Sequence, residues 1–328
     1  MISEKDINRN PHVIYADSLR EIIIHNHKHG GTKGTTTHVP EIDEIFRWEE
    51  RSVNIWGGYA GMGKSTILNI LKLLRVIYSN KKIGIFTPET YPPEYYYNQL
   101  IQAYVGLGVE KYHHNQMTIE QHLAALDFIK SKFFYISSNN LDEVTPVVIF
   151  KIFEDLIKDE GITDVVIDPF NQLDRDWERS KRDDRYVGDF CVQSKRFAVK
   201  HDVIVDIVVH PPASAAKKEK GQDEYKILDI YDFAGGAQWA NKSDNMLVYY
   251  RPYFCRDRKN TECVLKSIRI KKYGLNGFPG QVFLTYDFEK NRYFIFDRDI
   301  FDVDKPPILQ QTIFHNFTEP DDKDDTPF

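Results

Sequence analysis

Four short apolar runs occur along the chain, and each ends in a polar or glycine-rich segment. The runs at 52–56, 82–86, 163–168 and 202–210 have the length of buried strands and contain Val or Ile. Apolar residues at helical spacing predict a helix over 66–77. Strands that are apolar throughout suit a parallel sheet covered on both faces. The pattern therefore predicts an α/β fold with a mostly parallel central sheet flanked by helices.

A glycine-rich loop joins the first predicted strand to the helix over 66–77. Residues 58–65 fit the pattern G-x-x-x-x-G-K-[ST]. In such a loop backbone N–H groups cradle phosphate, the lysine reaches the β- and γ-phosphates, and the hydroxyl ligates Mg²⁺. A glycine-rich turn with a chance lysine is the alternative, which the full match and both flanking elements disfavour. The motif predicts ATP or another NTP with Mg²⁺, bound by Gly58, Gly61, Gly63, Lys64, Ser65 and Thr66.

Each of the other three predicted strands ends at a residue that can take part in phosphate chemistry. Glu89 follows the second strand, Asp168 ends the third and His210 ends the fourth. We expect Glu89 to polarise the attacking water, Asp168 to hold Mg²⁺ through water opposite Ser65, and His210 to lie near the γ-phosphate. The alternatives are an ordinary loop glutamate, a strand followed by a turn, and a histidine that caps a strand end.

Both ends of the chain differ in pattern from its middle. Residues 17–29 predict a capped helix that ends at a glycine breaker, and such a lone helix needs an apolar surface that a neighbouring subunit can supply. We expect an N-terminal arm and linker helix over 1–34, an ATPase domain over 35–305 and a disordered acidic tail over 306–328. Residues 105–145 predict a further pair of helices with no recognisable chemistry.

Composition and charge narrow the class of protein. The chain has 328 residues and is 41% hydrophobic, and its net charge of −6 argues against a generic nucleic-acid coat. Cys191, Cys255 and Cys263 form no C-x-x-C pair, which favours a reducing compartment. No apolar run approaches the roughly 20 residues of a membrane span. We expect a cytoplasmic location and no membrane contact.

A small and basic segment follows His210. It spans 213–221, has no apolar period and contains Lys217, Lys218 and Lys220. A segment of this composition cannot pack, so we expect a mobile loop beside the strand end. In a ring of six chains these lysines would line one channel and contact the phosphate backbone of a nucleic acid.

The glycine loop, the three strand-end residues, and the segments 233–238 and 242–245 occur in an order and spacing that resemble one family. They resemble the RecA-like motor domain of hexameric replicative helicases, which include the DnaB type, mitochondrial Twinkle and the phage primase-helicases. The segment 34–45 also resembles the start of that domain, and the likeness covers roughly residues 17–300. The composition, rich in Tyr, Asn and Lys, is compatible with a phage protein.

The resemblance implies an ATP-dependent DNA helicase that moves 5′-to-3′ on single-stranded DNA as a homo-hexameric ring. It implies that Lys64 and Ser65 bind triphosphate and Mg²⁺, that Glu89 activates water, and that Asp168 supports Mg²⁺. His210 would couple the γ-phosphate to the lysine loop. Gly236 and Gln238 would lie in a second loop that faces DNA.

Two features depart from the family pattern. The family usually places an arginine finger, which reaches into the neighbour's active site, in the segment that matches 268–277. The expected position here holds no arginine. Either Lys272, Lys271 or Arg269 takes this role, or ATP hydrolysis is weak. A lysine is a poorer substitute because it lacks the planar fork of arginine. Asn241 also stands where members of the family often carry glutamine.

The acidic tail ends in Phe328 and resembles the tip of bacterial single-strand-binding proteins. We expect it to dock DNA polymerase, primase or a single-strand-binding protein, with a solubilising tail as the alternative. No primase domain is expected before the motor. Two other functions fit the sequence: a RecA-like recombinase, and an ATP-gated single-strand DNA-binding protein that serves as a replisome scaffold. A nucleotide kinase is disfavoured because lid arginines are not evident.

Overall fold

The computed structural model describes residue 10 and residues 12–174, 183–216 and 223–303. Within these ranges ten strands form one sheet: β1 Val53–Gly57, β2 Ile83–Phe86, β3 Phe133–Ile136, β4 Asp164–Ile167, β5 Ile204–Val209, β6 Asn245–Tyr250, β7 Glu262–Ile270, β8 Gly280–Asp287, β9 Arg292–Ile295 and β10 Arg298–Asp299. The α-helices are α1 Arg20–His29, α2 Pro40–Ile45, α3 Lys64–Ser79, α4 Pro93–Val105, α5 Ile119–Ile129, α6 Pro146–Glu160, α7 Asp183–His201 and α8 Gln238–Lys242.

The sheet has a parallel part and an antiparallel part. Its strand order is β10-β9-β8-β7-β6-β1-β5-β4-β2-β3. The six strands from β6 to β3 are parallel, whereas β7 to β10 extend the sheet antiparallel from β6. The expected α/β fold with a mostly parallel central sheet is confirmed, and the antiparallel end adds to it.

The four central strands form the core of the molecule. Every residue of β1, β2, β4 and β5 is buried. This burial explains why these strands are mostly apolar instead of alternating, because helices cover both faces of the sheet. All four strands begin and end within two residues of the predicted runs, so the hydrophobic pattern located them correctly.

The prediction of two helices within 105–145 is wrong in part. That range contains the end of α4, the single helix α5 and the strand β3, which pairs in parallel with β2 at the edge of the sheet. Thr118 forms a capping box with Gln121 at the start of α5. The four apolar residues of β3 are too few to show a period, so their neighbours in the sheet determine the conformation.

The helix α1 is separated from this core. None of its residues is buried, and Ile22, Ile23 and Ile24 are 42–56% exposed. The predicted helix over 17–29 is present as a 3₁₀ turn at Ala16–Leu19 followed by α1. In the described ranges no helix is long and apolar enough to cross a membrane.

A buried ionic cluster fixes α3 to the sheet. Lys72 Nζ lies 2.6 Å from Asp164 Oδ1 on β4 and 2.5 Å from Asp206 Oδ2 on β5. The same ammonium lies 3.9 Å from the ring centroid of Trp48, and Arg75 Nε lies 2.9 Å from Asp164. Because α3 begins at the phosphate loop, this cluster holds the helix that presents the loop.

Candidate active site

The phosphate loop is the turn between β1 and α3. Its three glycines have positive φ, +154° at Gly58, +75° at Gly61 and +108° at Gly63, a conformation that side chains disfavour. Gly63 caps α3, and the free N–H groups of the first turn and the partial positive charge of this helix end point toward the loop. The pattern G-x-x-x-x-G-K-[ST] is therefore present in the geometry that it requires, strand then loop then helix.

Lys64 lies at the centre of the site. It is only 5% exposed, and its Nζ donates to the Tyr59 carbonyl oxygen at 3.0 Å. Burial lowers the pKa of Lys64 to about 8, while the charges of Asp168 and Glu89 oppose the shift. Within the described ranges no carboxylate lies within ion-pair distance of this ammonium, so a phosphate fits the site as its counter-charge.

Asp168 supplies the buried carboxylate of the site. It follows β4, is 3% exposed and lies close enough to Ser65 for that hydroxyl to act on the pKa of the carboxyl. Burial raises the pKa of Asp168 to about 6, against the opposing effects of Ser65 and Lys64. A carboxylate and a hydroxyl fit Mg²⁺, which prefers oxygen ligands and takes the rest from phosphate and water. The described residues contain no cluster of three His, Cys, Asp or Glu that would hold a metal ion.

His210 contacts Lys64 directly. Its Nδ1 lies 3.3 Å from Lys64 Nζ, and burial, with the charge of Lys64, lowers its pKa to about 4. The ring is therefore neutral at pH 7. The ammonium donates and Nδ1 accepts, which leaves the proton on Nε2.

Glu89 lies at the edge of the same site and is exposed. Gln172 Nε2 donates to Glu89 Oε1 at 3.3 Å. Sequence analysis did not identify Gln172 or its neighbour Asn171 as site residues. Their position just after Asp168 was the available signal, because amides that follow a strand end lie at the same edge of the sheet.

Most of these residues line one open cleft of about 590 Å³. It lies where β1, β2, β4 and β5 end, and its lining is Tyr59, Ala60, Gly61, Gly63, Lys64, Ser65, Thr66, Glu89, Asn171, His210, Pro211, Pro212 and Ala213. Asp168 is buried beneath it. The structure thus brings together the loop and the three strand-end residues that were predicted separately.

The residues predicted to face DNA divide into two groups. Gly236 lies just before α8, and Gln238 is the first residue of that helix. The ring of Phe233, in the same segment, packs against Gly57 at the end of β1. A Cβ added to Gly57 would lie 2.1 Å from this ring. Gly236 has φ +68°, and a Cβ added there would meet no atom within 4 Å. Lys217, Lys218 and Lys220 lie outside the described residues, as does the tail with Phe328.

The residues proposed for the finger role lie at the opposite edge of the sheet. Lys271 Nζ lies 2.9 Å from Asp244 Oδ1, and Lys272 forms an ion pair with Glu49. Arg269 is partly exposed and has no ion pair within the described ranges. In β7 it pairs with Met246, at the start of β6, and β6 runs parallel to β1 toward the phosphate-loop edge.

The fold is RecA-like, with a phosphate-binding loop between its first strand and the helix that follows. Two solved structures share the fold: the ATPase domain of G40P, with a TM-score of 0.69 at 13% identity over 87% of this chain and 99% of that one, and a DnaB-like replicative helicase, with a TM-score of 0.67 at 15% identity over 88% of this chain and 68% of that one. These identities show the fold alone.

A curated relative matches part of the chain. It is the Twinkle homolog protein, chloroplastic/mitochondrial, of Arabidopsis thaliana, 30% identical over 129 residues. The match covers 39% of this chain and 17% of that relative. No family model matches the chain.

Proposed function

We propose that the protein is an ATP-dependent DNA helicase of the replicative class, which moves along single-stranded DNA. The observation that carries this proposal is the meeting of Lys64, Ser65, Asp168, Glu89 and His210 around one cleft beside a glycine loop. The fold shared with a DnaB-like replicative helicase and with the ATPase domain of G40P supports it, and so does the 30% identity to the Twinkle homolog protein over 129 residues.

The chemistry follows from the positions of these groups. Lys64 and the loop N–H groups would bind the phosphates of ATP, and Ser65 and Asp168 would hold Mg²⁺, which neutralises charge on the phosphates. Glu89, oriented by the amide of Gln172, would orient water and take its proton. His210 would respond to the presence of the γ-phosphate, because His210 contacts Lys64, the residue proposed to bind that phosphate.

Single-stranded DNA would contact two segments that begin near this cleft. We assign the phosphate contacts to Lys217, Lys218 and Lys220, since lysines supply affinity without sequence preference. Gly236 and Gln238 would form the second contact. The ring of Phe233, in the same segment, packs against Gly57 at the end of β1, next to the phosphate loop. This contact supports coupling between nucleotide binding and DNA binding.

We propose that the active site is completed by a neighbouring copy of the chain in a hexameric ring. Lys271, Lys272 and Arg269 lie at the sheet edge opposite the phosphate loop. A strand of six residues is about 20 Å long, so these side chains cannot reach the cleft of their own chain. The uncovered isoleucines of α1 would pack on the same neighbour.

The wider context of the protein is also a proposal. The DnaB-like structure is described as interacting with primase. We propose that this chain likewise works with a primase, and that its tail docks DNA polymerase, primase or a single-strand-binding protein. We assign the protein to the cytoplasm of the cell in which it acts.

A second function is favoured by one observation. Lys271 and Lys272 are both held in ion pairs within their own chain, which opposes their use as a finger in trans. If Arg269 does not serve either, hydrolysis is weak. The protein would then be an ATP-gated single-strand DNA-binding scaffold.

Strand separation tests the proposed helicase. We expect the protein with ATP and Mg²⁺ to unwind a fork that has a free 5′ tail, and not a duplex that has only a 3′ tail. Lys64→Ala should abolish unwinding, because the triphosphate loses its cation. Binding of single-stranded DNA without any unwinding would contradict the helicase and favour the scaffold.

A further inference from the structure

Tyr59 of the phosphate loop reaches out of the nucleotide cleft and contacts two distant segments. Its hydroxyl lies 3.0 Å from the Ala215 carbonyl oxygen and 3.0 Å from the Lys226 carbonyl oxygen. A phenol has one hydrogen, so the two carbonyls share it. The ring is 5% exposed and stacks on Tyr225 with a centroid distance of 4.6 Å. Tyr59 thus joins the phosphate loop to both segments through one side chain.

The same residue contacts the phosphate-binding lysine through its backbone. The Tyr59 carbonyl oxygen accepts from Lys64 Nζ at 3.0 Å. A triphosphate in the cleft would compete for that ammonium, because an anionic oxygen is a stronger acceptor than a neutral carbonyl. The peptide of Tyr59 would then lose its charged partner and change position.

The segment that Tyr59 contacts is itself attached to the molecule. The Glu224 carboxylate accepts from the backbone N–H groups of Cys255 at 2.9 Å and Arg256 at 3.0 Å, and Lys226 Nζ lies 2.9 Å from Asp232. A movement of the Tyr59 hydroxyl would therefore act on anchored backbone, not on a free end.

We propose that Tyr59 is a positioning residue that couples nucleotide binding to the affinity for single-stranded DNA. The inference rests on the proposed function, because Ala215 and Lys226 flank in sequence the lysines assigned to DNA. Lys64 changes its partner when nucleotide binds, the Tyr59 peptide responds, and its hydroxyl transmits the change to the Ala215 and Lys226 carbonyls. This connection is separate from that through His210, which lies at the end of β5.

The test is the ratio of DNA affinities with and without nucleotide. Fluorescence anisotropy would measure binding of a labelled oligothymidylate to the full chain, without nucleotide and at a saturating non-hydrolysable ATP analogue. The variant is Tyr59→Phe, which removes only the hydroxyl. The matched control is Tyr97→Phe, which removes a phenol-to-carbonyl hydrogen bond of 3.2 Å to Phe133, away from the cleft. Thermal unfolding of each protein would check the fold.

We expect the analogue to tighten DNA binding by the wild type about tenfold, a usual size for coupling between two sites. Tyr59→Phe should lower that ratio about fivefold, the size of one neutral hydrogen bond, while Tyr97→Phe keeps the wild-type ratio. A wild-type ratio in Tyr59→Phe would overturn the inference and leave the proposed function standing. An equal loss of affinity in both states would also overturn it. A wild type that binds no DNA in either state would overturn the proposed function and the inference with it.

Discussion

At the scale of single residues, the cleft is a set of charges that a bound nucleotide would balance. The buried ammonium of Lys64 has its pKa lowered to about 8, and the buried carboxyl of Asp168 has its pKa raised to about 6. Both shifts have burial as their largest cause, so each group is held in its charged form at a cost. Phosphate beside Lys64 and Mg²⁺ beside Asp168 would remove that cost.

The affinity for nucleotide should therefore fall at alkaline pH. Lys64 binds phosphate only when protonated, and its lowered pKa means that the ammonium is lost as pH rises through about 8. We expect the affinity for a fluorescent ATP analogue to fall above pH 8, where the phosphates themselves no longer titrate. In Lys64→Arg this fall should vanish, because arginine stays charged. An affinity of the wild type that is constant from pH 7 to 9.5 would contradict this account.

Residue-level chemistry could be predicted from the sequence where position along a strand determines position in space. Glu89, Asp168 and His210 each follow a strand of one parallel sheet, so their meeting at one edge follows from the fold. The hydrogen-bond partners of Tyr59 and Gln172 could not be assigned in this way, although the position of Gln172 soon after Asp168 indicates the edge of the sheet at which it lies. Their partners lie 156 and 83 residues away along the chain, and only the structure shows the contacts.

At the scale of elements, a buried cluster of charged residues joins α3 to the central strands, and the sequence pattern does not reveal it. Lys72 lies in the apolar stripe of α3, where a lysine normally reaches to solvent. It is instead fully buried between Asp164 and Asp206. The sequence predicted α3, β4 and β5 from apolar period and length, but not the ionic contacts that join them, because pairing between elements leaves no local pattern.

Lys72→Met should destabilise the protein strongly. The change leaves two buried carboxylates with fewer partners, which costs about 3–5 kcal/mol of the free energy of unfolding. Urea unfolding followed by circular dichroism would measure it. The control is Lys151→Met, whose solvent-exposed pair with Asp155 at 2.8 Å should contribute little to stability. Equal stabilities of the two variants would show that the buried cluster is not needed.

The antiparallel end of the sheet shows a second limit of prediction at this scale. The strand β7 does not alternate regularly between buried and exposed residues, and its pairing with β6 contains a register shift between Met246 and Leu247. Neither the period of a half-buried strand nor that of a helix is therefore present. The edge strand β3 was missed for a related reason, since four apolar residues fit either conformation.

At the scale of the whole molecule, the proposed shared site would have its two halves at opposite edges of the sheet. The cleft lies at the edge where β1 and β5 end, and Arg269, which pairs with Met246 at the start of β6, lies toward the opposite edge. Of the three basic residues considered for the finger, Arg269 is the one without an ion pair in the described ranges, and it alone has a planar fork. We therefore favour Arg269 over Lys272 for this role.

Arg269→Ala should lower kcat by about 1,000-fold, as the loss of an arginine finger does in other ATPases and GTPases. Lys272→Ala, which breaks only the pair with Glu49, should change it little. Mixing Arg269→Ala subunits with Lys64→Ala subunits should restore part of the activity, because an intact cleft then meets an intact finger from its neighbour. No recovery in the mixture would contradict a site shared between subunits.

Steady-state ATPase activity with and without single-stranded DNA tests most directly whether this molecule couples ATP hydrolysis to that DNA. Wild type would be compared with Glu89→Gln and with Glu94→Gln, an exposed glutamate at the start of α4 outside the cleft. We predict DNA-stimulated turnover in wild type and in Glu94→Gln, and a loss of at least about 100-fold in Glu89→Gln with ATP binding retained. A wild type that binds ATP but shows no turnover would contradict the account and leave a nucleotide-gated scaffold.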